Sequence, residues 1–291
     1  MDLKYKYEVM KNKVVVKDID IDLENTLFSG QAFRWNKTDE GFKGVCYNRV
    51  VLVYKQGSDL VFDNTDKDFF LLKLSHYFDL YKDYNKIING FGFDEVLDKS
   101  LKYAPGIRVL NQEPFEALIS FIISANNNIK RIRSIIDNLC KKYGDKIDSF
   151  GSELYSFPKP EMLAEATLED LYLCGAGYRA PYIKETASMI ADGFILNGLK
   201  QLSYLEARKK LTELKGVGNK VADCVLLYSL GFSNAFPLDV WIKRVIHNLY
   251  GFESEKDSEI LGFIEKTFGK YAGIAQQYLF YYVKENKLGI K

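Results

Sequence analysis

The chain has 291 residues, 47% of them hydrophobic, which is enough for one large domain or two modest ones around a sizeable core. Its 40 Lys and Arg against 39 Asp and Glu exclude a global basic field, so any polyanion must be met by local clusters or backbone groups. The four cysteines (Cys46, Cys140, Cys174, Cys224) lack CxxC spacing and only His76 and His247 are present, which argues against a zinc site, a disulfide framework, a multi-histidine centre or an iron–sulfur cluster beyond Cys224.

The N-terminus, MDLKYKYEVM, has no apolar signal core, and no later run reaches membrane-spanning length; a cytoplasmic protein is expected. The first third reads as strand. Residues 14–23 alternate, and 33–35, 41–47, 50–54 and 60–62 are short β-rich runs separated by Asp39-Glu40-Gly41, Tyr47-Asn48 and Gly57-Ser58-Asp59 turns. Residues 69–88 and 93–103 read as helices covering one face of that sheet. After Pro105-Gly106 the character changes. Pro114 suits the first turn of an apolar helix running to 125, Asn126-Asn127-Asn128 breaks it, and 129–143 resumes until Gly144. Residues 167–173, 180–197, 204–215, 219–230, 240–250, 256–268 and 272–285 follow with helical periodicity. Ser203 and Glu206 have capping-box spacing, Gly231 and Gly251 stand where C′ glycines end helices, and Asp239 stands at an N-cap. The expected fold is α+β: an antiparallel β domain with covering helices over 1–107, packed on an all-helical region over 108–291.

The chemistry concentrates between Leu214 and Val240. Gly216-Val217-Gly218 joins two predicted helices within 204–230. Glycine permits tight backbone and close approach, and the second helix presents free N–H groups and a positive dipole end to an anion such as a DNA phosphate. A bare Gly-x-Gly is equally an ordinary helix–helix turn; the flanking helices and Lys220 favour the DNA reading. Lys220 lies on the first turn of the second helix, where the dipole disfavours an ammonium. A neutral amine can attack an anomeric carbon and form a Schiff base, which acidifies the neighbouring C2′ proton and permits strand cleavage by β-elimination. Asp239 can cap its helix and also oppose positive charge developing on a sugar; the capping N–H groups would keep it ionised and aimed. The triad of hairpin, amine and carboxylate suggests an enzyme that cuts a base from its sugar.

These residues resemble the 8-oxoguanine DNA glycosylase/lyase family of the helix–hairpin–helix DNA glycosylase superfamily, over about Thr26 to Phe280. The resemblance implies that Lys220 is the Schiff-base nucleophile and Asp239 the catalytic carboxylate. It implies that the Gly30 carbonyl accepts the N7–H by which 8-oxoguanine differs from guanine, that Cys224 packs on the flipped base, that Gln276 reads its pairing edge and that Phe280 stacks on it. On the opposite strand it implies that Asn126 fills the gap, Arg131 and Arg179 bond the estranged cytosine, and Tyr178 wedges beside it. Only eight of the 40 basic residues are arginine, so two at these positions carry weight. Taken singly, Gly30 is a turn glycine, Cys224 and Phe280 are core residues, and the arginines are ion-pair partners.

The chain departs from the family at two positions. Trp241 stands where many members carry a histidine two residues after the aspartate, and Val283 stands near where the acidic partner of that histidine would be, so both halves of the pair are replaced and the phosphate contact attributed to the histidine is in doubt. The implied partner is duplex DNA with a damaged base, met by a monomer without metal or organic cofactor, apart from a monovalent cation at the hairpin. The Lys-, Ile- and Asn-rich composition suits a bacterium or archaeon with an AT-rich genome. A glycosylase for alkylated bases and a non-catalytic hairpin module that only holds DNA backbone are the alternatives.

Overall fold

The computed structural model describes residues 3–149 and 152–286. Six antiparallel strands form the N-terminal sheet: β1 (Tyr7–Met10), β2 (Lys13–Val16), β3 (Trp35–Thr38), β4 (Gly41–Cys46), β5 (Arg49–Gln56) and β6 (Asp59–Asp63), in the order β1-β2-β6-β5-β4-β3. The register sets Val14 beside Phe62 and Phe62 beside Val53, so alternate residues line one inner face. That face, with Trp35, Val51 and Leu60, buries against Phe70, Leu74, Tyr77 and Phe78 to form one core. The Trp35 indole donates to Tyr77 Oη at 2.9 Å, so its polar edge is satisfied inside.

The structure revises several expected elements. The strand expected over 14–23 stops at Val16, because Asp22 caps a short helix, Leu23–Phe28, through the Asn25 N–H. β1 was not expected; it is an edge strand with three exposed residues and no alternating burial to betray it. The helix expected over 69–88 is broken into short turns around a left-handed Asp79 (φ 51°). The Asp79 carboxylate is buried and accepts from Lys82 and from Tyr84 Oη at 2.9 Å, partners that hold the break. The next helix begins at Glu95, capped by Asp94, and packs against the last helix of the chain, within the core of the helical region. A small hairpin, β7 (Lys146–Ser149) with β8 (Ser152–Tyr155), and a helix at Pro160–Glu165 were also not anticipated.

The helical region centres on Pro114–Ser124, whose residues from Ala117 to Ile123 are all buried. It packs against Asn219–Tyr228, where Phe121 stacks on Tyr228 with centroids 5.4 Å apart. Around this pair lie Ile129–Tyr143, Ala180–Ala191, Tyr204–Leu211, Val240–Tyr250, Asp257–Phe268 and Ala272–Glu285. The expected capping box at Ser203 and Glu206 is present, as is the left-handed Gly251. Gly231 has positive φ (81°) but lies beyond the C-cap, Ser229, of a helix that ends at Tyr228. Together these elements make the expected α+β architecture.

Buried polar side chains join the two cores. The Gln31 carboxamide donates to the carbonyls of Thr26 and Arg108 at 2.8 Å and accepts from the Leu110 N–H at 2.8 Å. Arg34 pairs with Glu116 at 3.0 Å, both largely buried. These bonds fix the turn carrying Gly30 against the helical region. All four cysteines are buried and unpaired.

Candidate active site

Seven residues, Thr212–Gly218, connect Tyr204–Leu211 to Asn219–Tyr228. Gly216 has φ 74°, and a Cβ there would lie 2.6 Å from the Cβ of Tyr182, so both conformation and space demand glycine. Gly218 is the N-cap, and nothing lies within 4 Å of where its Cβ would be, so the helix start is open to an approaching molecule. Val217 between them is buried and anchors the turn. The first-turn N–H groups beyond Gly218 have no intrahelical partner and suit an anion.

Lys220 follows on that first turn, half-buried. Its Nζ donates to Ser124 Oγ at 3.3 Å and sits 5.5 Å from the centre of the Phe121 ring. Cys224 lies one turn further, and burial pushes its thiol up to about 11 against the opposing Lys220 charge. Asp239 caps Val240–Tyr250, accepting from the Ile242 N–H at 2.8 Å. Desolvation raises its carboxyl above the usual aspartate range; the Ile242 N–H, the Lys220 charge, the Trp241 N–H and the Lys284 charge oppose that rise without cancelling it. The capping geometry is as expected, but burial outweighs it, so this carboxylate is held less firmly ionised than its donors alone would hold it. The amine and carboxylate lie close enough to act on each other.

Gly30 adopts φ 88°, and a Cβ there would meet Phe280 Cε1 at 3.4 Å. The Gly30 backbone therefore runs directly beside the Phe280 ring. Gln276, one turn before Phe280 on the last helix, is 3% exposed, with Oε1 3.2 Å from Tyr228 Oη. Gly30, Cys224, Gln276 and Phe280 come from three distant parts of the sequence: Gly30 meets Phe280, Gln276 meets Tyr228 at the end of the Lys220 helix, and Cys224 lies on that helix between Lys220 and Tyr228.

A second group forms where Pro114–Ser124 ends. Asn126 is exposed and left-handed (φ 49°), and Asn128 caps the next helix through the Arg131 N–H at 3.0 Å. Arg131 is exposed beside Gly177. Tyr178 Oη donates to the Ala125 carbonyl at 3.2 Å. Arg179 is buried: its Nε reaches the same carbonyl at 3.1 Å, one terminal nitrogen reaches that of Asn126 at 3.0 Å, and its guanidinium lies 4.3 Å over the Tyr178 ring. Arg179 thus braces the turn that presents Asn126, a contact the sequence did not reveal.

Two family models account for most of the chain. The N-terminal domain of 8-oxoguanine DNA glycosylase matches residues 13–118, and the HhH-GPD superfamily of base excision DNA repair proteins matches residues 119–269. The chain belongs to the 8-oxoguanine DNA glycosylase/lyase family. A Saccharomyces cerevisiae N-glycosylase/DNA lyase is 31% identical over 92% of this chain and 85% of its own length. A probable N-glycosylase/DNA lyase of Methanothermobacter thermautotrophicus is 34% identical over 74% of this chain and 75% of its own. Among solved structures, the Clostridium acetobutylicum 8-oxoguanine glycosylase/lyase, in complex with duplex DNA containing cytosine opposite the lesion, superposes with TM-score 0.94 at 40% identity, covering 99% of this chain and all of that one. A 3-methyladenine glycosylase from Archaeoglobus fulgidus, at 24% identity and TM-score 0.76, shares the fold.

Within this glycosylase fold, the departures from the family pattern have local replacements. Trp241 is half-buried under the exposed Arg244 guanidinium, 5.5 Å from its ring, and Val283 is 1% exposed. A cation lies nearby instead: Lys284, half-buried, sits 5.8 Å over the Phe280 ring and acts on Asp239, and burial lowers its ammonium below the usual lysine range. Sequence reasoning missed Lys284, although 276, 280 and 284 follow one helix face at four-residue spacing. It also missed Tyr228, Gln277 and Ser29 behind Gln276. Among the described residues no cluster of His, Cys, Asp and Glu could hold a metal, and no helix is long and apolar enough to cross a membrane.

Proposed function

We propose that this chain excises 8-oxoguanine from duplex DNA, preferring cytosine opposite, and then nicks the strand. The observation that carries the reading is a half-buried amine, Lys220, within electrostatic reach of Asp239 and one turn before Cys224, on a helix whose Tyr228 meets Gln276, with Gly30 set against Phe280. The lesion leaves its stack, and its N7–H reaches the Gly30 carbonyl, which an unmodified guanine cannot satisfy. Lys220 Nζ bonds to C1′ as the C1′–N9 bond breaks, and the base departs with its electron pair and a proton. Asp239 opposes the positive charge that develops on the sugar. Ring opening yields the Schiff base, C2′ loses a proton, and the C3′–O bond breaks to expel the 3′ phosphate. Asn126 fills the vacated stack while Arg131 and Arg179 meet O2 and N3 of the cytosine, with Tyr178 wedged beside it.

The working unit is a monomer on backbone held by Gly216, Val217 and Gly218. A monovalent cation bridging hairpin carbonyls and a phosphate is the one ion this reading calls for. Borohydride trapping on an 8-oxoguanine duplex tests it. Wild-type protein should form a covalent adduct, and Lys220→Gln should abolish the adduct and slow excision by roughly 10⁴-fold or more. Binding without trapping by the wild type would overturn it.

A further inference from the structure

Behind Gln276 lies a chain of buried polar groups whose proton directions are fixed from one end. The Leu110 N–H donates to Gln31 Oε1 at 2.8 Å, so the Gln31 nitrogen faces Ser29 and Thr26. Ser29 Oγ gives its proton to the Thr26 carbonyl at 3.2 Å and therefore accepts from Gln277 Nε2 at 2.6 Å. That turns Gln277 Oε1 to Tyr228 Oη, 2.6 Å away. Burial holds the Tyr228 phenol well above the usual tyrosine range, so it keeps its proton. A phenol has only one proton to give. Gln277 takes it at 2.6 Å, which leaves the 3.2 Å contact between Tyr228 Oη and Gln276 Oε1 without a hydrogen. A half-turn of the Gln276 amide resolves this: its NH₂ donates to the phenol oxygen and its carbonyl turns away from Tyr228, to the side on which the functional reading places the base.

We propose that Tyr228 and Gln277 are specificity-determining positioning residues, which orient Gln276 so that its oxygen, not its nitrogen, faces the flipped base. The inference rests on Gln276 reading the pairing edge, as in the functional reading above. An acceptor there asks for donors on the base. 8-Oxoguanine presents N1–H and an N2 amino group. 8-Oxoadenine carries the same N7–H for Gly30 but has an acceptor at N1, so the amide orientation separates the two.

The test compares excision rates on 8-oxoguanine and 8-oxoadenine duplexes, each opposite cytosine, as a ratio within each variant. Tyr228→Phe keeps the ring stacked on Phe121 and frees the amide, and should narrow the preference for 8-oxoguanine about tenfold. Gln277→Leu should do more, about 100-fold, because the released phenol proton then holds Gln276 the wrong way round. The double variant should return to the Tyr228→Phe ratio, since no proton remains to misdirect the amide. Should Gln277→Leu fail to fold, Gln277→Met poses the same question. A Gln277 variant no worse than Tyr228→Phe, or a double variant at least as poor as the Gln277 single, overturns this inference alone. Wild-type protein that excises neither base overturns the functional reading and this inference with it.

Discussion

The two sides of the site are built on different terms. On the lesion side Gln276, Gln277, Tyr228 and Ser29 are buried and bonded to one another, and Gly30 is held by the Gln31 network. On the opposite-strand side Asn126 and Tyr178 are exposed on short turns, Arg131 is exposed on the first turn of Ile129–Tyr143, and only Arg179 is buried. On the proposed reading, a pocket that must tell one purine from another by single atoms needs its acceptors fixed beforehand, because an unpaired buried polar group costs about 1–3 kcal/mol. On the same reading the wedge must be reachable by DNA, and Arg179 braces the turn that carries it from below.

The largest expected effect probes the lesion side. Asp239→Asn should slow excision by roughly 10²–10⁴-fold, as loss of an electrostatic stabiliser does. In the wild type the acid limb of the rate profile should lie above the ordinary aspartate range, because burial raises this carboxyl and the reactive form is ionised. The same shift makes folding stability fall as pH rises from the unfolded aspartate value through the raised folded one. Thermal unfolding should therefore show Asp239→Asn more stable than wild type near neutrality, with the gain vanishing in acid, where both states are protonated.

The arginines should separate next. Arg131→Ala should relax the preference for cytosine about tenfold, read as excision rates with each opposite base, at little cost in stability. Arg179→Ala should relax it similarly but also destabilise the protein by about 2–4 kcal/mol in urea unfolding, since it strips buried donors from two carbonyls. Equal stability for the two variants would break the contrast between an exposed reader and a buried brace. At the hairpin, Gly216→Ala should cost about 1–3 kcal/mol because its Cβ meets Tyr182. The smallest effect is expected for Gly218→Ala, which costs under about 1 kcal/mol as the loss of a glycine N-cap and weakens duplex binding a few-fold in a salt-dependent titration.

What could be read in advance follows the same division. The Ser203–Glu206 box, the Asp239 cap and the bounds of Val240–Tyr250 rest on residues within a turn of each other, so local chemistry spells them out. The break at Asp79 does not: it depends on Lys82 and Tyr84 meeting a buried carboxylate, and the periodicity of 69–88 continues through it unmarked. Resemblance drew Gly30, Cys224, Gln276 and Phe280 into one list, but not the partners behind them. Tyr228 reaches Gln277 across 49 residues and Gln277 reaches Ser29 across 248, distances over which a sequence pattern carries no signal. Lys284 escaped for another reason: a lysine near the end of a helix is ordinarily a solvated one.

The sealed thiols have a chemical consequence. Hydrogen peroxide attacks a thiolate, not a thiol. Burial raises all four cysteines, Cys224 to about 11 and Cys140 to about 12. The oxidants that create this protein's substrate therefore find no thiolate among these cysteines to attack, and repair capacity should persist through the very conditions that raise demand for it.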